Sequence, residues 1–175
     1  QLLRIVAGTQ EPDGGVVTRR DGVRVAVLTQ AQDPGNAGTI IRAADAAGAD
    51  AVVLVRGSVD PTAPKVVRST AGSLFHLPVV TGVALDDAVT ALHNAGLTVL
   101  AADGRGDFDL FEAESLLEAP SAWLLGNEAH GLPSEALSRA DAVVSIPIYG
   151  KAESLNVAVA AAVCLYASAR AQAQN

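Results

Sequence analysis

Along the chain, nearly continuous apolar runs take turns with segments whose apolar residues recur every three or four positions. VRVAVLTQ (23–30), rich in β-branched residues, predicts a buried strand, and AVVLV (51–55) predicts a second. Between them Ile40, Ile41, Ala44 and Ala47 fall at helical spacing over Gly38 to Ala47, with Gly48 as a stop, giving one βαβ unit. PKVVRSTAGSLF (64–75) reads as helical, LPVV (77–80) as short and extended, DDAVTALHNAG (86–96) as a helix and LTVLAAD (97–103) as the third clear strand. SAWLLG (121–126) and AVVSIPI (142–148) supply the fourth and fifth, PSEALSRA (133–140) a short helix, and Leu155 to Arg170 the closing helix. Strands that are apolar nearly throughout need cover on both faces, so the expected fold is α/β, a parallel sheet with helices on both sides. Residues 1–21, with their Pro and Gly pairs, read as an N-terminal arm or linker and 22–175 as one domain; no internal repeat or low-complexity tract interrupts it.

In open parallel sheets, ligands bind beyond the carboxyl ends of the strands. Four strand-to-loop junctions there depart from plain turn chemistry: TQAQDPGNAG, AADGRGDF, LLGNEAHGLP and IPIYGKAESLN. In the first, Asp33 and Pro34 start a turn, and Asn36 either caps a helix or presents an amide to a ligand. Arg42 lies about 160° round that helix from Ala44, away from the apolar stripe; a solvated pair with Asp45 is the bland alternative. DGRG (103–106) fails as a dinucleotide fingerprint, since that motif needs a third glycine and an ensuing helix, but it can make room for a ligand. In the third loop Glu128 stands against an apolar sheet edge without structural need, while His130 reads as a surface histidine rather than an acid or base. In the fourth, Ser154 suits the N-cap of the closing helix, which leaves Asn156 to turn its side chain back and hold the loop. The small residues behind it allow close approach of backbone or of a second subunit, and the pair reads as a pocket floor.

Composition narrows the setting. The chain is 50% hydrophobic and only 18% charged, enough for a sizeable core and against disorder. Its longest apolar run, Val157 to Ala167, is short of the roughly 20 residues of a membrane span, and no basic-then-apolar leader is visible. The expected setting is soluble and cytoplasmic. The one cysteine, Cys164, excludes an internal disulfide and reads as buried packing, and no metal cluster is apparent. The net charge of −7 argues by itself against a nucleic-acid partner. The chain starts at Gln1 and holds no methionine, which reads as a piece of a longer protein.

Taken in order, DPGNAGTIIRAADAAGAD, LLGNEAHGLP and IPIYGKAESLNVAVAAA resemble the three motifs of the SpoU, or TrmH-like, branch of the SPOUT methyltransferases, over about residues 24–170. The resemblance implies an α/β domain with a carboxyl-terminal trefoil knot, acting as a homodimer. It implies methyl transfer from S-adenosylmethionine to a ribose 2′-hydroxyl in RNA, ribosomal RNA being favoured over transfer RNA. Carried onto this sequence, it assigns Asn36, Arg42, Glu128, Ser154 and Asn156 to the catalytic site. Ala102, Gly104, Leu125, Gly126, Asn127, Ile146, Ile148 and Leu155 would hold the cofactor. No metal is implied. The acidic charge then calls for an additional RNA-binding domain before this one; Arg19, Arg20, Arg24, Lys65, Arg68 and Arg105 are candidates for a local positive patch. The competing reading is a non-catalytic nucleotide-binding or protein-interaction module on a doubly wound fold.

Overall fold

The computed structural model of the protein describes residues 23–29, 31–127 and 131–173; the arm expected at 1–21 lies outside them. The strands are β1 (Arg24–Leu28), β2 (Ala51–Val55), β3 (Val79–Val83), β4 (Thr98–Ala102), the two-residue β5 (Phe108–Asp109), β6 (Ser121–Leu125) and β7 (Ala142–Ser145). The helices are α1 (Pro34–Ala46), α2 (Pro64–Thr70), α3 (Leu85–Asn94), α4 (Glu114–Leu117), α5 (Ser134–Arg139) and α6 (Val157–Gln172), with a 3₁₀ turn at Ser73–Phe75. All seven strands pair in parallel, in the order β3-β2-β1-β6-β4-β7-β5.

The alternation of side chains along a strand explains why β1, β2 and β6 are apolar at almost every position. Ala26, Leu28, Leu54, Leu100 and Trp123 point to one face and pack with Ile40 and Ile41 of α1 and Leu165 of α6. Val25, Val27, Val53, Val99 and Leu124 point to the other and meet Val89 and Leu92 of α3 and Ala136 of α5. Each large side chain so buried contributes roughly 1.5–3 kcal/mol. Trp123 is fully buried, and its indole N–H donates to Ser168 Oγ at 2.9 Å, satisfying the one polar atom it brings inside. Cys164 is buried in the same layer, and the apolar surroundings push its thiol far above the ordinary range, as a packing role requires. No helix of the described residues is long and apolar enough to cross a membrane.

Three sequence expectations change. The helix expected at 64–75 breaks after Thr70, because Ala71 and Gly72 turn left-handed (φ 49° and 100°) and the chain restarts as the 3₁₀ turn. The extended piece expected at 77–80 becomes β3, shifted to 79–83 by pairing with β2. The fifth apolar run leaves the sheet after Ser145, where its neighbours β4 and β5 also end, so Ile146 to Ile148 are not strand. In addition, β5 carries too few residues for any periodicity and escapes the sequence reading.

Candidate active site

The four loops singled out in the sequence follow β1, β4, β6 and β7, and the sheet order makes these four strands neighbours. Register brings Leu28, Leu125, Ala102 and Val144 level with one another, so all four loops emerge at one edge. That edge holds a cavity of about 190 Å³, lined from the loops after β4, β6 and β7 and from the start of α6. Ala102, Gly104, Leu125, Gly126, Asn127, Ile146, Ile148 and Leu155 all border it, as does Ser154. Asp103, Gly131, Glu153, Val157 and Ala160 line it too, and sequence reasoning passed them over although the first three stand inside the quoted loops. A smaller cavity of about 50 Å³ shares Leu125, Gly126, Asn127 and Val157 and reaches Asn36 and Asp33 in the loop after β1.

The loop after β6 can close only because residue 126 is glycine. A Cβ there would stand 2.4 Å from the carbonyl carbon of Gly131 and 2.6 Å from the backbone nitrogen of Leu132. Asn127 and Gly131 then pair through two backbone hydrogen bonds, at 3.2 and 2.7 Å. Asp103 stands beside this pinch. Its carboxylate accepts from Arg105 Nε and Nη2 at 2.9 and 3.1 Å and from the Arg105 backbone N–H at 3.0 Å. These donors, the guanidinium first, with a further bond from the Leu132 backbone, hold the Asp103 carboxyl below its ordinary value against the opposing effect of burial.

Both helix starts at this edge are capped, though not by the residues expected. Asp33 caps α1: its Oδ1 accepts from the Asn36 N–H at 2.7 Å. Pro34 occupies the first helical position, where a missing N–H costs nothing, so the helix begins well before Gly38 and Asn36 sits within its first turn. On α6 the cap is Asn156, whose Oδ1 accepts from the N–H groups of Ala158 and Val159 at 2.9 and 3.3 Å. Ser154 is therefore not the cap; the helix begins at Val157, and Ser154 precedes it by too much to reach those donors. The side-chain nitrogen of Asn156 donates to Asn36 Oδ1 at 3.1 Å, tying the two helix starts across 120 residues of sequence.

Arg42 is exposed on α1, off the apolar stripe, as its spacing predicts. It borders neither cavity. The solvated pair with Asp45 does not form, because His76 Nδ1 holds Asp45 Oδ2 at 2.9 Å. Glu128 and His130 lie outside the described residues. The positive patch expected from scattered basic residues does not assemble as such. Arg24 is drawn inward to Gln172 Oε1 and the Gly48 carbonyl, and Arg105 is spent on Asp103, while Arg19 and Arg20 lie outside the described residues. Lys65 and Arg68 remain, together on the exposed side of α2.

A cationic cofactor with an apolar portion suits the cavity at the ends of β4, β6 and β7. Its lining includes the apolar Leu125, Ile146, Ile148, Leu155 and Val157, and its charged lining residues, Asp103 and Glu153, are both acidic.

The family model described as the SpoU rRNA Methylase family matches residues 24–166. The chain is 40% identical over 166 residues to the 23S rRNA (guanosine(2553)-2′-O)-methyltransferase RlmP of Bacillus subtilis, covering 93% of this chain and 63% of that one. It is 41% identical over 142 residues to a 23S rRNA (uridine(2479)-2′-O)-methyltransferase of Streptomyces viridochromogenes, covering 78% of this chain and 49% of the other. The crystal structure of the SpoU methyltransferase AviRb from Streptomyces viridochromogenes, in complex with AdoMet, superposes with a TM-score of 0.79 at 37% identity, over 90% of this chain and 63% of that one. The chain thus spans 49–63% of the length of these relatives.

Proposed function

The chain belongs to the SpoU rRNA methylase family, and from this premise we propose that it transfers a methyl group from S-adenosylmethionine to a ribose 2′-hydroxyl of ribosomal RNA. The observation that carries the reading is the convergence of three loops on one acidic-edged apolar cavity, joined through Asn156 and Asn36 to the helix bearing Arg42. When bound, the cofactor supplies an electrophilic methyl on a sulfonium. The residues of this chain must then hold it, admit an alcohol beside it and stabilise the negative charge that grows as the alcohol loses its proton.

Ala102, Gly104, Leu125, Gly126, Asn127, Ile146, Ile148 and Leu155 are assigned to cofactor binding, with Ser154 at the same wall. Asn36 and Asn156 position the substrate side. Arg42 is not assigned as the base, because a guanidinium has no lone pair free to accept a proton. Its role is to stabilise the developing alkoxide and clamp an adjoining phosphate, while a phosphate or water accepts the proton. Glu128 is assigned to fixing loop donors or Arg42. The family's trefoil knot belongs to the same reading. Its support is the chain path, in which β6 inserts between β1 and β4 and Gly126 is pressed against the backbone of 131 and 132.

A homodimer through α6 completes the proposal. The helix leaves Val159 and Tyr166 about half exposed, at 49% and 53%, a stripe that a second copy would cover. RNA capture is assigned partly to local contacts of this chain and partly to a segment outside it, since the relatives are longer and a net charge of −7 weakens the hold on a phosphate backbone. The cytoplasm, where ribosomal RNA is modified, is the proposed location.

The test joins two measurements. Calorimetric titration with S-adenosylmethionine should show binding, and incubation with ribosomal RNA and methyl-labelled cofactor should leave label on ribose. Absence of both would overturn the reading. Sedimentation at micromolar concentration should give a dimer that Tyr166→Asp dissociates; a wild-type monomer would remove that part.

A further inference from the structure

Phe75 is the most exposed phenylalanine among the described residues, 81% accessible, in a chain with only 3% aromatic residues. Its position is enforced by the backbone. Ala71 is the one non-glycine of the described residues in the left-handed region (φ 49°), and with Gly72 (φ 100°) it ends α2 abruptly and redirects the chain into the Ser73–Phe75 turn, which buries Ser73 and exposes Phe75. The turn is then fastened to α1. His76 Nδ1 meets Asp45 Oδ2 at 2.9 Å, and the buried Ser73 adds a side-chain hydrogen bond to the same carboxylate. A chain that merely needed to reach β3 has no use for an apolar ring held in water by strained backbone.

The fastening also sets the charge beside it. Asp45 stands one helical turn after Arg42 and is its natural ion-pair partner. Because His76 and Ser73 occupy that carboxylate, Arg42 has no acidic partner among the described residues. Arg68, in the last turn of α2 just before the break, likewise has none, whereas Lys65 one turn earlier pairs loosely with Asp33 at 4.0 Å. Glycine at 38 lets α2 close on α1, since a Cβ there would stand 2.7 Å from the Val66 carbonyl oxygen. The exposed ring thus stands on the turn that leaves the helix carrying Arg68, next to His76, which is held by Asp45 one helical turn from Arg42, and aromatic rings combined with cations are how proteins hold single-stranded RNA, the ring stacking on a base and the cations meeting phosphates.

We propose that Phe75 is a nucleobase-stacking platform for the RNA strand whose phosphates Arg42 and Arg68 engage. This rests on the RNA-methylating reading and adds to it a contact surface on the amino-terminal side of the domain, away from the cofactor cavity. Ser73, His76 and Asp45 act as positioning residues for it.

The test uses the whole chain and a short fluorescein-labelled single-stranded RNA of mixed sequence at low salt. Phe75→Ala and Phe75→Leu should each weaken binding about ten-fold or more, and Phe75→Trp should restore it, with S-adenosylmethionine affinity and sedimentation unchanged. Arg68→Gln should lower the slope of log affinity against log salt by about one, whereas Phe75→Ala should leave it as it is. Wild-type RNA affinity in the Ala variant would overturn the proposal. Full affinity in the Leu variant would do so as well, by showing an apolar contact without stacking. A changed oligomeric state with unchanged RNA binding would assign the ring to a protein interface instead. A wild-type chain that binds the cofactor but not this RNA would sink the stacking role alone, whereas failure to bind the cofactor and to methylate ribosomal RNA would sink the reading beneath it.

Discussion

On the β3-β2-β1 side of the sheet, strands that follow one another in sequence lie next to one another in space, whereas on the other side β6 is inserted between β1 and β4, and β4 separates β6 from β7. On the first side the loop after β1 borders only the small cavity of about 50 Å³, which it shares with the loop after β6. The second side brings loops from β4, β6 and β7 against one another around the cavity of about 190 Å³. The difference suggests a division of labour in which the carboxyl-terminal half shapes a cofactor site and the amino-terminal half presents charge to a substrate. Asn36 and Asn156 are the joint between them.

The largest test of that division is Arg42→Ala. On the proposed role it should reduce methyl transfer about 10²- to 10³-fold, the usual effect of removing one stabiliser of developing charge, while cofactor affinity stays within a few-fold. Equal loss of both, measured by label transfer and calorimetry, would merge the two halves into one site. Next comes Gly126→Ala. The added methyl meets backbone, which cannot swing aside, so chemical denaturation should report roughly 1–3 kcal/mol of lost stability together with weaker cofactor binding. Gly104→Ala sharpens this, because nothing lies within 4 Å of a Cβ at 104, and stability should be unchanged.

Asn156→Ala should cost about 1 kcal/mol as a lost cap, plus cofactor affinity through release of the joint. Ser154→Ala should leave stability intact, since Ser154 caps nothing. The smallest effect concerns Asp103. Its carboxyl is lowered from an ordinary value of 3.8, so the folded state favours the charged form. The contribution is complete above that value and fades as pH falls through the lower folded value; it does not change between pH 5 and 8. Asp103→Asn should therefore flatten the acid end of a stability-against-pH profile and leave the neutral region's shape alone.

Period and composition by themselves determined the αβ alternation, the parallel sheet with two covered faces and the burial of Cys164, because local apolar spacing reports which faces must leave water. The loops worth attention were legible too, since glycines and polar residues at strand ends stand out against apolar runs. Tertiary structure decided what followed from contacts between distant residues. Strand order made four separate loops neighbours. The cap passed from Ser154 to Asn156 because the helix start depends on which side chain reaches the first free N–H groups, and not on which residue type is commonest there. Asp45 was lost to Arg42 because His76, 31 residues away in sequence, reached it first. Spacing fixes what one helix can offer, but which partner takes the offer depends on how the chain brings remote groups together.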